Sequence, residues 1–351
     1  MAVQGKSMAS VWATCAALMA LCGSAGGSAL AAAPAAAAAG KTPVVLAPGY
    51  FGFGSIAGVG YWGGLPELLE DRGHQVFVHV PVPIASPEQR GRALLAFVRQ
   101  VKERTAADKV VVLAHSQGGV DARVALALGG DADIAAVASL SAPHAGTPIA
   151  DLASLVPEGL IEAVLNPVGR LWQAMQGIDA TSQQPRASVV SLSTEGMAVF
   201  NIDHTQNLVP YFTVAAVTGK DVDGSCDGGL WQAPTVEDEL TSLMLGNRLL
   251  ITALAGAVSH DGVVPTGSMR FGTFLGCVPA DHGDWMGWSS AAGEDARIFD
   301  AMAFEAVLVD ALVEVADRGA VGIAHAVPAL SALAKAPLAI PTLNPTLNPT
   351  L

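Results

Sequence analysis

Charged residues are scarce in this chain of 351 residues, and basic residues are the scarcer kind. The sequence contains 18 lysines and arginines against 31 aspartates and glutamates, which gives a formal net charge of −13 at pH 7. Because an acidic chain repels phosphate groups, this balance argues against a nucleic-acid partner and against binding to an anionic membrane surface. The length is ample for one large α/β domain with its own core.

Cysteine is also rare, with four residues in the whole chain. Cys15 and Cys22 lie near the N-terminus, whereas Cys226 and Cys277 lie in the main part of the chain. We expect a single disulfide between Cys226 and Cys277, because two free thiols are unusual in an exported protein. Cys226 and Cys277 are also too few and too far apart in the sequence to indicate a zinc site.

The N-terminus has the composition of a secretory signal peptide followed by an alanine-rich leader, together residues 1–39. Lys6 supplies a weak positive charge, an apolar run covers 11–21, and A-x-A cleavage patterns follow between 29 and 39. Gly and Ser interrupt the alanine-rich stretch, which favours a cleaved signal over the alternative of a membrane anchor. We therefore expect secretion through the periplasm, with no stable membrane span after cleavage.

The central motif of the chain is a serine at the end of an apolar run, in the segment VVVLAHSQGG at 110–119. This is the G-x-S-x-G pattern of a nucleophile elbow, with Ala114 in place of the first glycine. The turn from strand to helix is so tight that only small residues fit beside the serine. The motif predicts that Ser116 lies at the tip of the sheet, with the Gln117 N–H available to an oxyanion.

Apolar runs and helical patterns alternate through much of the chain, and this alternation predicts an α/β fold. Strands are predicted over 42–47, 75–80, 109–113, 134–140 and 211–217, and helices over 65–73, from Pro87, over 118–128 and over 296–316. The expected architecture is a mostly parallel sheet with helices on both faces. A ligand site would then lie at the carboxyl ends of the strands, where the serine is.

Two further segments flank the expected site. The glycine-rich loop 48–54 follows the first strand, and we expect the Tyr50 N–H to be the second oxyanion donor. The segment 148–180 has apolar residues at helical spacing, which fits either a mobile lid that opens at a lipid surface or a packed cap helix.

The hydrolase domain is expected to cover 40–320 and to contain the lid. An Ala/Pro-rich, low-complexity tail follows at 321–351. Its repeated prolines predict an extended or disordered chain.

A serine nucleophile needs a histidine base and a carboxylate that orients it, and in α/β hydrolases the order is Ser, acid, His. His144 follows a strand too closely to leave room for an acid, and His325 lies in the tail. His282 is therefore the expected base, with Asp261 as its acid. His204 is a weaker candidate, because no clear strand precedes it.

Several motifs recur together in the order of a known family. They are PGYFGF at 48–53, GYWGGLP at 60–66, RG at 90–91 and LL at 94–95, HSQGG at 115–119, APHAG at 142–146 and HDGVV at 260–264. With these motifs the chain resembles the secreted bacterial true lipases of the Pseudomonas/Burkholderia type (lipase family I), within the α/β-hydrolase superfamily. The resemblance covers roughly residues 42–316.

The resemblance implies a triacylglycerol lipase that acts through an acyl-enzyme at a lipid interface, with the segment 148–180 as its lid. It also implies the site: a catalytic triad, two oxyanion N–H donors and a basic residue that braces the oxyanion loop. The triad would be Ser116, Asp261 and His282. The oxyanion donors would be the N–H groups of Tyr50 and Gln117, and the basic residue would be Arg90. The alternatives are an esterase for short-chain or polymeric esters without interfacial activation, or a non-catalytic binding protein, against which the complete Ser, Asp, His order argues.

The family also implies a structural Ca²⁺ near the catalytic histidine. Its carboxylate ligands would be Asp284 and Glu239, with Asp238 as an alternative to Glu239. The sequence departs from the family at Pro48, where a histidine is usual, and at Trp288, where an amide ligand is expected. Many members of this branch need a membrane-bound folding chaperone, and this partner is a further expectation.

Overall fold

A parallel six-stranded sheet forms the centre of the protein in the computed structural model, which describes residues 42–56, 58–176, 183–204, 209–231, 234, 242–287, 299–319 and 321–335. The strands of the sheet are β1 (Val44–Ala47), β4 (Val76–Val78), β5 (Val110–His115), β6 (Ile134–Leu140), β7 (Tyr211–Ala216) and β8 (Thr273–Val278). Their order is β4-β1-β5-β6-β7-β8, with every neighbouring pair parallel. A separate antiparallel hairpin pairs β2 (Ser55–Ile56) with β3 (Val59–Gly60).

Helices surround this sheet. They are α1 (Leu65–Asp71), α2 (Pro87–Thr105), α3 (Gln117–Ala127), α4 (Pro148–Ser154), α5 (Glu158–Met175), α6 (Pro185–Ser191), α7 (Thr194–Asp203), α8 (Ser242–Ala255), α9 (Ala301–Arg318) and α10 (Val321–Leu333). Among the described residues, none of these helices is both long and apolar enough to cross a membrane.

The two faces of the sheet are covered by different helices, because successive side chains of a strand point to opposite faces. Val111 and Leu113 of β5 belong to one buried cluster, which also includes residues of α1 and α9. Val110 and Val112 belong to a second cluster, which includes residues of α2 and α3. Strands buried on both faces are nearly all apolar, and this is why the β5 sequence shows no polar alternation.

The predicted fold class is confirmed, and most predicted strands differ from the observed ones by a residue or two at their ends. One strand of the central sheet, β8, was not predicted, and neither was the short hairpin of β2 and β3. Gly276 interrupts the apolar pattern of β8 and has a φ of 146°. A Cβ atom at that position would lie 2.5 Å from the ring of Trp231, so the glycine lets this ring pack against the strand.

The prediction of an extended or disordered tail is wrong for its first part, because residues 321–333 form the helix α10. The helix packs against α9, and Ile323 and Leu330 are buried in the main core. Pro328 lies inside it and removes one backbone donor, a loss that apolar burial offsets. Residues 336–351 lie outside the described part of the chain, as does the leader 1–39, and for both the sequence-based expectation stays a prediction.

The predicted disulfide is present between Cys226 and Cys277. It connects the loop after β7 to β8, and both residues are buried in a small cluster with Val264 and Met269. Since Val264 follows Asp261 closely, the disulfide supports the region that carries the expected acid.

Removing the disulfide should lower stability substantially. For a sequence separation of 51 residues, the chain-entropy model gives about 4 kcal/mol of stabilisation. We expect the double variant Cys226→Ala/Cys277→Ala to unfold at a clearly lower urea concentration than the wild type. Reductant should shift the midpoint of the wild type and leave that of the variant unchanged, and equal midpoints for the two proteins would contradict this role.

Candidate active site

Ser116 lies at the sharp turn between β5 and α3, as the elbow motif predicts. Its backbone has a φ of 54° and a ψ of −130°, a region that non-glycine residues rarely adopt and that costs roughly 1–3 kcal/mol. Gly118 makes the turn possible, because a Cβ atom there would lie 2.3 Å from the carbonyl oxygen of Ala47. The turn brings the serine to the carboxyl edge of the sheet.

His282 contacts both Ser116 and Asp261. Its Nε2 lies 2.9 Å from Ser116 Oγ, and its Nδ1 lies 2.7 Å from Asp261 Oδ2. The sequence separations are 166 and 21 residues, so the fold brings these groups together from distant parts of the chain. A histidine with a serine hydroxyl at one ring nitrogen and a carboxylate at the other has the arrangement of a Ser-His-Asp triad.

Backbone contacts orient the Asp261 carboxylate. Its Oδ1 accepts hydrogen bonds from the N–H groups of Val263 at 2.9 Å and Val264 at 2.8 Å, so that Oδ2 is left to His282. The backbone N–H of His282 also donates to the backbone carbonyl of Asp261 at 2.9 Å. The acid follows β7 by 45 residues, but the Thr218 hydroxyl donates to the carbonyl of His260 at 2.9 Å and attaches its loop to the end of β7.

The oxyanion loop, residues 48–54, lies directly against the serine. A Cβ atom on Gly49 would be 2.6 Å from Ser116 Cβ, so only glycine fits at this position. The Gly49 N–H donates to the Tyr61 hydroxyl at 2.8 Å. The next N–H along the chain belongs to Tyr50, the expected donor. Gln117 is the first residue of α3, so its N–H has no acceptor within that helix.

Arg90 binds the oxyanion loop from α2. Its Nη2 donates to the Pro48 carbonyl at 2.7 Å, and its Nε donates to Asp121 Oδ2 at 2.8 Å. Both side chains are almost fully buried, where a charge needs a partner to offset its lost hydration. The bracing role that the family resemblance implies for Arg90 therefore has a geometric basis, with Asp121 as the counter-ion.

Helices α5 and α6 also contact the oxyanion loop. Trp172 Nε1 donates to the carbonyl of Phe51 at 2.7 Å, and the hydroxyl groups of Tyr50 and Ser188 lie 2.9 Å apart. The segment predicted as a lid forms α4 and α5, and its last residues, 177–180, lie outside the described part of the chain. Ser116 is 8% exposed and His282 is 6% exposed, so both side chains are buried.

The three other histidines considered as the base have other partners. His144 is buried with its Nε2 3.0 Å from Ser139 Oγ, and His204 stacks on Phe200 at the end of α7. His325 lies on α10 and contacts Glu314. The structure brings His282 to Ser116, and its role as the base stays a prediction.

The residues expected to bind Ca²⁺ are only partly described. Asp284 follows the base, and its Oδ2 accepts a hydrogen bond from the Asp281 N–H at 2.7 Å. Glu239 and Trp288 lie outside the described residues. Within the described ranges, no group of three or more His, Cys, Asp or Glu side chains could bind a metal ion. Because Glu239 and its alternative Asp238 lie outside the described residues, the expected pair of carboxylate ligands is not tested, and calcium stays a prediction of the family resemblance.

Two contacts of the site were not predicted from the sequence. Asp121 lies four residues after Gln117 on α3, a spacing that puts both on one face of the helix and could have indicated a shared role. Tyr61 belongs to the recurring motif 60–66, but nothing in its local sequence indicates a contact with the oxyanion loop.

Solved structures with the same fold include bacterial lipases. A lipase of Bacillus licheniformis in its mature form matches with a TM-score of 0.52 and 21% identity, over 70% of this chain and 86% of that one. A Staphylococcus hyicus lipase matches with a TM-score of 0.56 and 16% identity, over 81% and 98% of the two chains. At these identities the likeness shows the fold alone.

The parallel sheet with a serine at the strand-to-helix turn defines the class of this protein as an α/β hydrolase. A triacylglycerol lipase of Burkholderia plantarii is 35% identical over 307 residues, which cover 74% of this chain and 83% of the relative. A triacylglycerol lipase of Pseudarthrobacter phenanthrenivorans is 34% identical over 281 residues, which cover 68% and 86%. The chain belongs to this family of bacterial triacylglycerol lipases, which confirms the resemblance found in the sequence.

Other relatives match over a shorter part. A triacylglycerol lipase of Vibrio cholerae is 35% identical over 167 residues, 46% of this chain and 53% of the relative. The chain thus spans about half the length of that relative. No protein-family model matches the chain.

The Arg90 contacts generate a prediction for Arg90→Lys. A lysine keeps the charge but cannot donate to Pro48 and Asp121 in the same fork geometry, so one buried acceptor loses its partner. We expect a loss of roughly 2–4 kcal/mol in the free energy of unfolding together with a lower kcat, measured by urea denaturation and ester hydrolysis.

The matched control is Arg99→Lys. Arg99 makes the same kind of Nε contact, to Asp133 at 2.9 Å, but its side chain is 53% exposed. This variant should change stability by well under about 1 kcal/mol and leave kcat unchanged. Equal effects of the two substitutions would argue against a special role for Arg90.

Proposed function

We propose that this protein is a secreted serine hydrolase that cleaves triacylglycerols at a lipid–water interface through an acyl-enzyme on Ser116. The observation that carries the proposal is the contact chain from Ser116 Oγ through His282 to Asp261, with distances of 2.9 Å and 2.7 Å. The names of the relatives support the substrate class, because several are triacylglycerol lipases.

In this mechanism His282 Nε2 takes the proton of Ser116 as Oγ attacks the ester carbonyl. Asp261 accepts from Nδ1–H, which fixes the tautomer and stabilises the imidazolium. The carbonyl oxygen becomes an oxyanion that the N–H groups of Tyr50 and Gln117 stabilise. The tetrahedral intermediate collapses, and the leaving alkoxide takes the proton from His282. A water molecule, deprotonated by His282, then attacks the acyl-enzyme and releases the carboxylic acid.

The segment formed by α4 and α5 is the proposed lid. Two features support this role: the low exposure of Ser116, and apolar side chains on the outer surface of the segment, such as Leu155, which is 78% exposed, and Leu160, which is 57% exposed. Exposed leucines in these helices offer a surface for a lipid layer. Because α5 contacts the oxyanion loop through Trp172, its movement would also change that loop.

Secretion through the periplasm is part of the same proposal. The leader composition of residues 1–39 and the disulfide support it, since disulfides persist in oxidising compartments. The family resemblance adds a folding chaperone as a partner and a structural Ca²⁺ with Asp284 and Glu239 as ligands. No step of the reaction depends on that ion.

The test of the proposed function compares an emulsified long-chain triacylglycerol with a dissolved short-chain ester. We expect the rate on the triacylglycerol to rise sharply once it forms an interface. In Ser116→Ala, turnover should fall by several orders of magnitude, because no nucleophile remains.

The controls are circular dichroism, to verify folding, and a phosphonate ester, which should label Ser116 in the wild type alone. Near-normal turnover in Ser116→Ala would rule out the assignment. Activity on the dissolved ester only would make the protein an esterase with a fixed cap.

A second experiment tests the lid surface with Leu155→Ser/Leu160→Ser. We expect the rate on the emulsion to fall about tenfold, since apolar area that meets the lipid is removed, while the rate on the dissolved ester stays the same. Leu128→Ser is the control. Leu128 is 38% exposed and follows α3, so it lies at the edge of the sheet opposite Ser116. A loss of equal size in the control would contradict a specific lipid contact of α4 and α5.

A further inference from the structure

Two buried side chains lie beneath the oxyanion loop and are not used in the mechanism above. The Tyr61 hydroxyl accepts a hydrogen bond from the Gly49 N–H at 2.8 Å and lies 2.7 Å from His115 Nδ1. Tyr61 follows the hairpin strand β3, and His115 is the last residue of β5, directly before Ser116. Both are buried, and their rings pack against each other.

The Tyr61 hydroxyl can both accept and donate a hydrogen bond. Its oxygen accepts from the Gly49 N–H, and its single proton is donated to His115 Nδ1 when that nitrogen is unprotonated. The pKa of His115 lies well below its usual value. Burial is the main cause, and the neighbouring His282 also disfavours the charged form of His115. For Tyr61, burial disfavours the charged phenolate and therefore raises the pKa. Both groups are therefore neutral while the enzyme works.

The contact with Tyr61 completes the binding of one peptide unit. The peptide between Pro48 and Gly49 has its carbonyl bound by Arg90 at 2.7 Å and its N–H bound by Tyr61 at 2.8 Å. The following peptide carries the Tyr50 N–H, and the two units are joined at Gly49, whose backbone is the least restricted of any residue type. The Gly49 carbonyl of that peptide accepts from the Gly52 N–H at 3.0 Å, so without the Tyr61 contact this turn and Arg90 would be left to orient the Tyr50 N–H.

The same contact relates the oxyanion loop to the other parts of the site. His115 is adjacent to the nucleophile, and its ring centroid lies 4.6 Å from that of His282. A loop bound to His115 through Tyr61 is thus aligned with both the serine and the base.

We propose that Tyr61, oriented by His115, is a positioning residue that fixes the Pro48–Gly49 peptide so that the Tyr50 N–H faces the oxyanion. This inference rests on the proposed function. The Tyr61 hydroxyl contacts the Gly49 N–H and His115 Nδ1, and the inference assigns to it a specific effect on the transition state.

The test is Tyr61→Phe, which removes the hydroxyl and keeps the ring. On a dissolved short-chain ester we expect kcat to fall about tenfold to hundredfold, with KM within twofold of the wild-type value. A misplaced N–H donor stabilises the transition state less but leaves binding of the ground-state substrate intact. A trifluoromethyl ketone provides a second measurement. Ser116 Oγ adds to its carbonyl carbon, the Ser116 proton passes to His282, and the carbonyl oxygen becomes an oxyanion. Its inhibition constant should rise by the same factor as kcat falls.

Tyr211→Phe is the matched control. Tyr211 is an equally buried tyrosine whose hydroxyl donates to a backbone carbonyl, that of Gly119, at 2.7 Å. Its loss should lower the melting temperature by a similar amount and leave kcat and ketone inhibition unchanged. A second pair covers the case in which Tyr61→Phe does not fold: His115→Asn, whose amide oxygen can accept from Tyr61, should retain several-fold more activity than His115→Leu.

The outcomes separate the inference from the proposed function. If the wild type hydrolyses the ester and binds the ketone but Tyr61→Phe does both equally well, the positioning role is wrong and the lipase assignment stands. A raised KM with unchanged kcat would also overturn the role, because it would make Tyr61 a ground-state contact. If the wild type itself neither turns over the ester nor forms the ketone adduct, the proposed function fails first.

Discussion

The turn from β5 into α3 is the constraint on which the rest of the site depends. A serine with a φ of 54° can be accommodated only because Gly118 lets the start of α3 pass within contact distance of the Ala47 carbonyl in β1. This close approach brings the nucleophile against the loop that follows β1. The oxyanion loop and the nucleophile are therefore adjacent because two parallel strands are neighbours, and the same sheet carries His282 to the site through β8.

The oxyanion loop itself is ordered from several sides. Arg90 binds it from α2, Tyr61 from the segment after the hairpin, and Trp172 from α5. Each contact ends on a backbone group rather than on a side chain of the loop. The loop also packs through its aromatic side chains, since Phe53 is buried against Tyr61 and Trp172, so packing and hydrogen bonds to peptide groups together fix its shape. This arrangement also explains how a helix of the proposed lid can act on the oxyanion donors without contacting the substrate.

Local patterns predicted the elements that depend on local physics. The run of β-branched residues before Ser116 predicted β5, and helical spacing after Pro87 predicted α2, because a strand buried on both faces and an amphipathic helix have distinct periods. Strand β8 was missed since its glycine at 276 exists to accommodate Trp231, a residue 45 positions away. Helix α10 was missed because its stability comes from packing against α9, which outweighs the prolines that predicted an extended chain.

The sequence by itself determined the order of the chemical groups: a serine in an elbow motif, then an acid, then a histidine, as in α/β hydrolases. It also determined the family, since the motifs recur in a fixed order. Only the tertiary structure decided which groups meet. The contact of Ser116 with His282 spans 166 residues and that of Arg90 with Pro48 spans 42. The physical reason is that a hydrogen bond depends on distance and direction in space, and these arise from the packing of whole elements rather than from the residues that neighbour each partner in the chain.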